Sequence, residues 1–252
     1  MIGIIPAAGT GQRIQPLGCS KELLPVGSRW VGGVERPKAV SEYLIERMVT
    51  AGATEVCIVI SPEKADIIKY YADHDYPAQI LYSIQPRPQG LCDALFRAAP
   101  LARRHEQVLI GLPDTILFPQ NAFLPALDFR RADVNLVLFP SRNPSDFDAV
   151  VCGEFGYVQE VQVKKRNPAT HWIWGAITSR GESFYQLSLL WEARRRVDEY
   201  LGDLLNAYLA EGNAVCGCPC GETYMDVGTL EGYRTAQDYL LAQQQVLPGR
   251  AA

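Results

Sequence analysis

Along the first half of the chain, short apolar runs alternate with stretches of helical spacing. Residues 2–6 (Ile-Gly-Ile-Ile-Pro) are apolar without a break, the pattern of a strand buried on both faces. In 38–51, Val40, Leu44 and Met48 recur at i, i+4 and i+8, which predicts a helix, and Gly52 supplies its stop. Residues 55–60 (Glu-Val-Cys-Ile-Val-Ile) form another short apolar run. After it, 63–73 read as helix, 79–84 as strand, 91–99 as helix and 107–111 as strand. The order β-α-β-α-β-α-β with short connections predicts a parallel sheet covered on both faces. Ligands of such sheets lie beyond the carboxyl ends of the strands. Segments 7–21, 85–90 and 113–114 each follow a strand, so all three are expected on one rim.

The second half is more mixed. Residues 134–139 read as a central strand, with 148–152, 157–163 and 172–177 as further strands and 153–156 (Gly-Glu-Phe-Gly) as a turn. Helices are expected over 183–195, 198–211 and 230–244, and short strands over 215–218 and 223–225. The stretch 27–37 (Gly-Ser-Arg-Trp-Val-Gly-Gly-Val-Glu-Arg-Pro) is polar and glycine-bearing and suits a hairpin or flap beside the opening loop. No repeat, low-complexity stretch or linker interrupts the chain. One domain is expected over 1–247, with a flexible tail at 248–252.

Composition narrows the class. With 48% hydrophobic and 21% charged residues in 252, the chain reads as a soluble globular protein. A net charge of −4 speaks against general binding to nucleic acid or a membrane surface, while leaving room for a local basic pocket. No apolar run approaches the ~20 residues that span a bilayer. Residues 1–8 lack the length and charged start of a signal peptide. Seven scattered cysteines, an odd number, suggest reduced thiols and a cytoplasmic protein. Only Cys216, Cys218 and Cys220 cluster. With no second ligand pair at zinc spacing, and only His74, His105 and His171 as histidines, the cluster reads as the edge of a small-residue strand rather than a soft-metal site.

The candidate chemistry begins where strand 2–6 opens into Ala7-Ala8-Gly9-Thr10-Gly11-Gln12-Arg13, followed by Lys21-Glu22-Leu23-Leu24-Pro25. A small, glycine-bearing loop lets backbone N–H groups approach an anion, and Arg13 and Lys21 bring charge to the same place. The loop is not a P-loop, since no G-x-x-x-x-G-K-[ST] is present. Nor is it a dinucleotide fingerprint: Gly9-Thr10-Gly11 lacks the third glycine, and Pro16 and Pro25 stand where a helix should begin.

This G-x-G-x-R followed by S-K-E-L-L-P resembles the signature of the sugar-1-phosphate nucleotidylyltransferases, the group of the glucose-1-phosphate thymidylyl- and uridylyltransferases. Further stretches resemble that family in the same order. Gln85-Pro86-Arg87-Pro88-Gln89-Gly90-Leu91 is similar to its Q-x-x-P-x-G-L segment, Leu112-Pro113-Asp114 to its aspartate after an apolar strand, and Tyr224-Met225-Asp226-Val227-Gly228-Thr229 to its W-x-D-x-G-T. The resemblance implies an α/β, Rossmann-like nucleotidyltransferase (glycosyltransferase-A-like) fold with a central mixed, mostly parallel sheet flanked by helices. It implies transfer of a nucleotidyl group from dTTP or UTP to a sugar 1-phosphate, with release of pyrophosphate. Arg13 and Lys21 would be catalytic, Ala8, Gly9, Gly11, Gln85 and Gly90 would bind the nucleotide, and Asp114 and Asp226 would hold Mg²⁺. An amide such as that of Gln85 carries both donor and acceptor, which suits the imide edge of thymine or uracil.

The acceptor side matches less closely. Val163-Lys164-Lys165-Arg166-Asn167-Pro168 lies where the family has E-K-P-x-x-P, which makes Lys164, with Lys165 as fallback, the grip on the sugar phosphate. Gly175 matches a glycine that lies against the sugar. Val163 replaces a glutamate that touches sugar hydroxyls, and Ala149 replaces a glycine, so a different phosphorylated acceptor stays open. A catalytically silent, nucleotide-sensing relative is the competing reading. Retention of Arg13, Lys21, Asp114 and Asp226 speaks against it, and a homo-oligomer is left open.

Overall fold

Strand β1 (Ile2–Pro6) is buried along its whole length because it pairs in parallel on both sides. The computed structural model describes residues 1–72, 76–129 and 131–246. His74 and the expected tail at 248–252 lie outside them. After β1 the chain forms a hairpin, β2 (Pro25–Val31) and β3 (Val34–Ala39), and enters α1 (Val40–Thr50). Then follow β4 (Glu55–Ile60), α2 (Ala65–Ala72), β5 (Gln79–Ile84), α3 (Gly90–Phe96), α4 (Ala99–Ala102) and β6 (Gln107–Gly111).

The second half begins with β7 (Thr115–Phe118), α5 (Phe123–Asp128), β8 (Val134–Pro140), β9 (Ala149–Cys152), β10 (Val158–Gln162) and β11 (Trp172–Arg180). It closes with α6 (Gly181–Ala193), α7 (Leu201–Ala210), β12 (Val215–Cys218), β13 (Thr223–Asp226) and α8 (Leu230–Val246).

One nine-stranded sheet runs β10-β9-β11-β6-β1-β4-β5, with β8 also on β11 and β12 on β8. Only β10 and β11 run against the other strands, so the sheet is mixed and mostly parallel. One face packs under α3, α4, α6 and α7, around Phe96, Phe184 and Trp191. The other packs under α1, α2 and α5, around Leu44, Met48, Ile67 and Phe123. A third cluster, with Val26, Tyr43, Ile116, Val227 and Leu240, lies where the hairpin, the β7–β13 ribbon and α8 meet.

Several boundaries differ from the periodicity. The helix expected over 38–51 starts at Val40, because the chain up to Ala39 is held in the hairpin. The helix expected over 91–99 is two helices. Pro100 sits in the first turn of α4, where it needs no N–H partner and cannot prolong α3. Strand β7 and helix α5 carried no sequence expectation, being too short to show a period. The stretch 27–37 lies in the hairpin as expected. β12 pairs with β8 at the sheet margin; Cys216 and Cys218 are buried there, and all seven cysteines are free. Among the described residues, no helix is long and apolar enough to cross a membrane.

Candidate active site

Two short strands bring the site's carboxylates together. β7 and β13 form an antiparallel ribbon in which Thr115 faces Asp226, and Val227 N donates to the Asp114 carbonyl at 2.8 Å. Asp114 and Asp226 therefore stand side by side although their numbers differ by 112. Gly228, just beyond the ribbon, measures their convergence. A Cβ there would stand 2.7 Å from Asp114 Oδ2, 2.8 Å from Asp226 Oδ1 and 3.0 Å from an Arg13 nitrogen.

Each carboxylate has a cation from the opening loop. Arg13 pairs with Asp226 Oδ2 at 3.0 Å, and Lys21 with Asp114 Oδ2 at 2.5 Å. Arg13 is largely exposed, whereas the Lys21 and Asp114 side chains retain only 16% and 8% of their surface. Burial draws the Lys21 ammonium down, but the charge and hydrogen bond of Asp114, helped by Glu22 and Asp226, outweigh it and leave its pKa raised. The lysine is thus kept as a cation in a dry place, where a charge acts most strongly. Gly11 has φ 66°, and a Cβ on it would stand 2.8 Å from Lys21 Cδ, so the loop needs glycine both for its turn and for the lysine stem lying across it.

Residues that the sequence patterns did not single out hold the loop in place. Lys64 Nζ donates to the Ala7 carbonyl at 2.7 Å and to both oxygens of buried Glu22, at 2.7 and 2.8 Å. Burial pushes the Glu22 carboxyl up, against the pull of Lys64 and Lys21. Asp66 accepts from both the backbone N–H and the hydroxyl of Ser20, each at 2.7 Å. Burial works against its ionisation, but these hydrogen bonds prevail and lower its pKa. Lys64 and Asp66 follow β4, whose carboxyl end lies on the same rim as that of β1. The rim rule applied to 7–21 would have found them.

On one side of the four charges is a cavity of about 460 Å³ lined by Ala8, Thr10, Ser20, Lys21, Lys64 and Pro88. Gln85 is 2% exposed, and its amide nitrogen donates to Asp93 Oδ2 at 2.7 Å and to the Gly90 carbonyl at 3.2 Å. Arg97 in turn braces Asp93 at 2.9 Å. The Gln85 amide is therefore fixed by Gly90 and by an aspartate one helical turn into α3, and Gln85 is not in the lining of that cavity. Gly9 is open on its Cβ side, with nothing within 4 Å.

On the other side is a cavity of about 720 Å³ lined by Arg13, Asp226, Lys164, Arg142, Phe147 and Tyr224. A second cavity of about 730 Å³ adjoins it and shares Arg142, Phe147 and Tyr224. Burial, then the charges of Asp226 and Asp114, hold the Tyr224 phenol well above its ordinary range, so it stays neutral. Lys164 thus shares a cavity with Arg13 and Asp226. Lys165, the fallback, is not in its lining. Gly175 is not in the lining either: it is buried in β11, where a Cβ would stand 2.5 Å from Tyr224 and 2.7 Å from Phe139. Arg142 follows β8 at the same rim and was reachable by the same rule.

A cation placed between Asp114 and Asp226 would meet two carboxylates. Among the described residues no cluster of three or more His, Cys, Asp or Glu side chains is placed to hold a metal ion. Two carboxylates converging on one point are a hard-oxygen pair. That fits Mg²⁺, which takes one or two carboxylates and completes its shell with phosphate oxygens and water.

The sequence matches the nucleotidyl transferase family over residues 2–243. It is 27% identical over 259 residues to the glucose-1-phosphate thymidylyltransferase of Neisseria meningitidis, covering 98% of this chain and 84% of that one. It is 22% identical over 246 residues to the enzyme of that name from Mycolicibacterium smegmatis, covering 95% and 82%. Among solved structures, a Bacillus anthracis protein described provisionally as a glucose-1-phosphate thymidylyltransferase, with a sucrose bound, superposes with a TM-score of 0.77 at 20% identity over 95% of each chain. At that identity the likeness speaks for the fold alone.

Proposed function

The chain belongs to the nucleotidyl transferase family, and from that premise we propose that it transfers a nucleotidyl group from dTTP or UTP to a sugar 1-phosphate and releases pyrophosphate. The observation that carries the reading is the quartet Arg13–Asp226 and Lys21–Asp114, 3.0 and 2.5 Å, set between two cavities. In the free protein the four charges compensate one another. An incoming metal–triphosphate would take over the pairing, carboxylates to metal and cations to phosphate, with no buried charge left alone at either stage.

In this reading an oxygen of the sugar phosphate attacks the α-phosphorus and pyrophosphate leaves in line. Arg13, a planar fork, grips the β and γ phosphates, and Lys21 meets the α-phosphate as its charge develops. Gln85, whose amide nitrogen is taken up by Asp93 and Gly90, offers its side-chain oxygen as acceptor to the pyrimidine imide N–H, and Gly90 offers its backbone N–H. Lys164 holds the attacking phosphate, so that two anions are aligned at a distance they would not keep unaided. Mg²⁺, when held by Asp114 and Asp226, screens the repulsion between them. The attacking phosphate is ionised at neutral pH, so no general base is called for, and no histidine is among the site residues.

The test is a matrix of dTTP and UTP against a panel of sugar 1-phosphates with Mg²⁺, followed by pyrophosphate release. One triphosphate is expected to give turnover with at least one sugar 1-phosphate. Asp226→Asn should abolish it while leaving the melting temperature nearly unchanged. Lys21→Ala should lose on the order of 3 kcal/mol of transition-state stabilisation, the scale of one strong oxyanion donor. Turnover by Asp226→Asn near the parent rate would sink the metal assignment. A matrix without pyrophosphate, alongside tight triphosphate binding, would favour the silent, sensing reading.

A further inference from the structure

Three features meet behind Lys164. The first is its backbone, which has φ 44°, a left-handed conformation that residues bearing a Cβ seldom adopt. Its ammonium donates to the Asp146 carbonyl and lies 5.8 Å from the centre of the Phe147 ring.

The second is Asp148. β6 stops at Gly111, opposite Ala176, and β9 takes up the same edge of β11 with Ala149 opposite Ile173. Asp148 therefore stands at the rim, at the start of β9. β10 returns antiparallel until Gln162 faces Ala149, which brings Lys164 back to the same spot. Asp148 is only 9% exposed; its Oδ2 accepts from Trp174 Nε1 at 3.4 Å, and its Oδ1 is buried with no hydrogen-bond partner. Burial raises its pKa, with Asp203 of α7 adding to the effect. The charge and backbone N–H of Lys164, with Trp174, work the other way. The strand register and these influences place Lys164 beside the carboxyl, while its ammonium stays on the Asp146 carbonyl.

The third is the closeness of α7. A Cβ on Gly202 would stand 2.6 Å from Val163, 2.8 Å from Val161 and 3.2 Å from Asp148 Oδ2. Glycine inside a helix weakens it; here it lets α7 close over the carboxyl and the strand end that carries Lys164. Val163, pressed against α7, is also a poor reader of sugar hydroxyls, which leaves recognition at this end to the phosphate grip.

A buried carboxylate with an idle oxygen adds no stability of its own. Its neighbours give it a use. We propose that Asp148 is a positioning residue for the acceptor: its idle Oδ1 is the partner that locks the left-handed Lys164 backbone, and with it the ammonium at the 720 Å³ cavity, when the acceptor binds. It closes on the Lys164 N–H when the acceptor's phosphate draws the ammonium off the Asp146 carbonyl. The proposal rests on the reading of Lys164 as the acceptor-phosphate cation given above.

The test is a binding cycle on the full chain. Calorimetry would compare wild type, Asp148→Asn, Lys164→Ala and the double variant, using the tightest-binding member of a sugar 1-phosphate panel as the probe. Asp148→Asn should weaken that probe about tenfold, the scale of a hydrogen bond to a charged group. Affinity for the triphosphate should stay within about twofold of wild type, because Asp148 touches none of the quartet. The double variant should bind the probe no more weakly than Lys164→Ala. Such non-additivity marks one residue acting through another, which a general packing role would not produce. Unchanged probe affinity in Asp148→Asn, or additive losses in the double variant, would overturn the proposal. So would a wild type that binds no sugar 1-phosphate. If wild type binds the probe but yields no pyrophosphate, the proposed activity fails, and the cycle still decides the role of Asp148. Asp148→Ser is the second variant, with melting curves for both; if neither folds, Asp148 is structural and the proposal falls.

Discussion

At the scale of single residues, the site depends on ion pairs whose worth differs with burial. The Lys64–Glu22 pair has side-chain exposures of 11% and 1% and ties the opening loop to the end of β4. Removing one partner strands a buried charge, so Lys64→Ala should destabilise the fold by roughly 3–5 kcal/mol, measured by denaturant melts. The Asp226 pair involves an Arg13 side chain that is 63% exposed, so Arg13→Ala should change stability little and activity greatly. Asp148 is expected to affect stability in the opposite sense to Lys64. Its folded-state pKa is raised by burial. Below the ordinary aspartate pKa both folded and unfolded chains are protonated, and the residue has no effect. As pH rises past that value the unfolded chain ionises first, and wild type loses stability until the folded pKa has been passed. Asp148→Asn should therefore be more stable than wild type near neutral pH, with the advantage shrinking toward about pH 4 in melts across the range.

At the scale of elements, the β7–β13 ribbon does what no single long element does. It pairs Thr115 with Asp226 and so fixes the spacing of two aspartates from distant parts of the chain. Its strands have only four residues each, too few to announce themselves by alternation against a background of apolar segments. The α3–α4 break was readable in principle from Pro100, and the extension of the hairpin to Ala39 was not, because Val40, Leu44 and Met48 keep their helical spacing whether the helix begins at 38 or at 40. Helix α7 offers an element-level test. Alanine is the better helix former by about 1 kcal/mol, yet Gly202→Ala should lower the melting temperature, because its Cβ would press on Val161 and Val163.

At the scale of the whole molecule, the carboxyl ends of β1, β4, β6 and β8 open on one rim, with one cavity reaching Lys21 and another reaching Arg13 and Asp226. A ligand seated on that rim touches loops from both halves of the chain and stabilises the folded state as a unit. Addition of Mg²⁺ with the correct triphosphate at about 100 times its Kd should raise stability by ~2.7 kcal/mol, read as a thermal shift. Asp114→Asn should lose most of that shift, and the mismatched triphosphate should give less of it.

The division between what could be read in the chain and what needed the fold follows from how each signal is encoded. Buried parallel strands are continuous apolar runs, and helices over them carry a period, so β1, β4, β5, β6 and the loops after them were legible, as were Arg13, Lys21, Asp114 and Asp226 through their local motifs. Contacts between distant segments leave no mark on local pattern. That Asp226 meets Arg13, that Lys64 reaches back to Ala7, that Gly175 serves packing against Phe139 and Tyr224, and that Asp148, Lys164 and Gly202 share one corner were decided by strand register and by the close approach of α7.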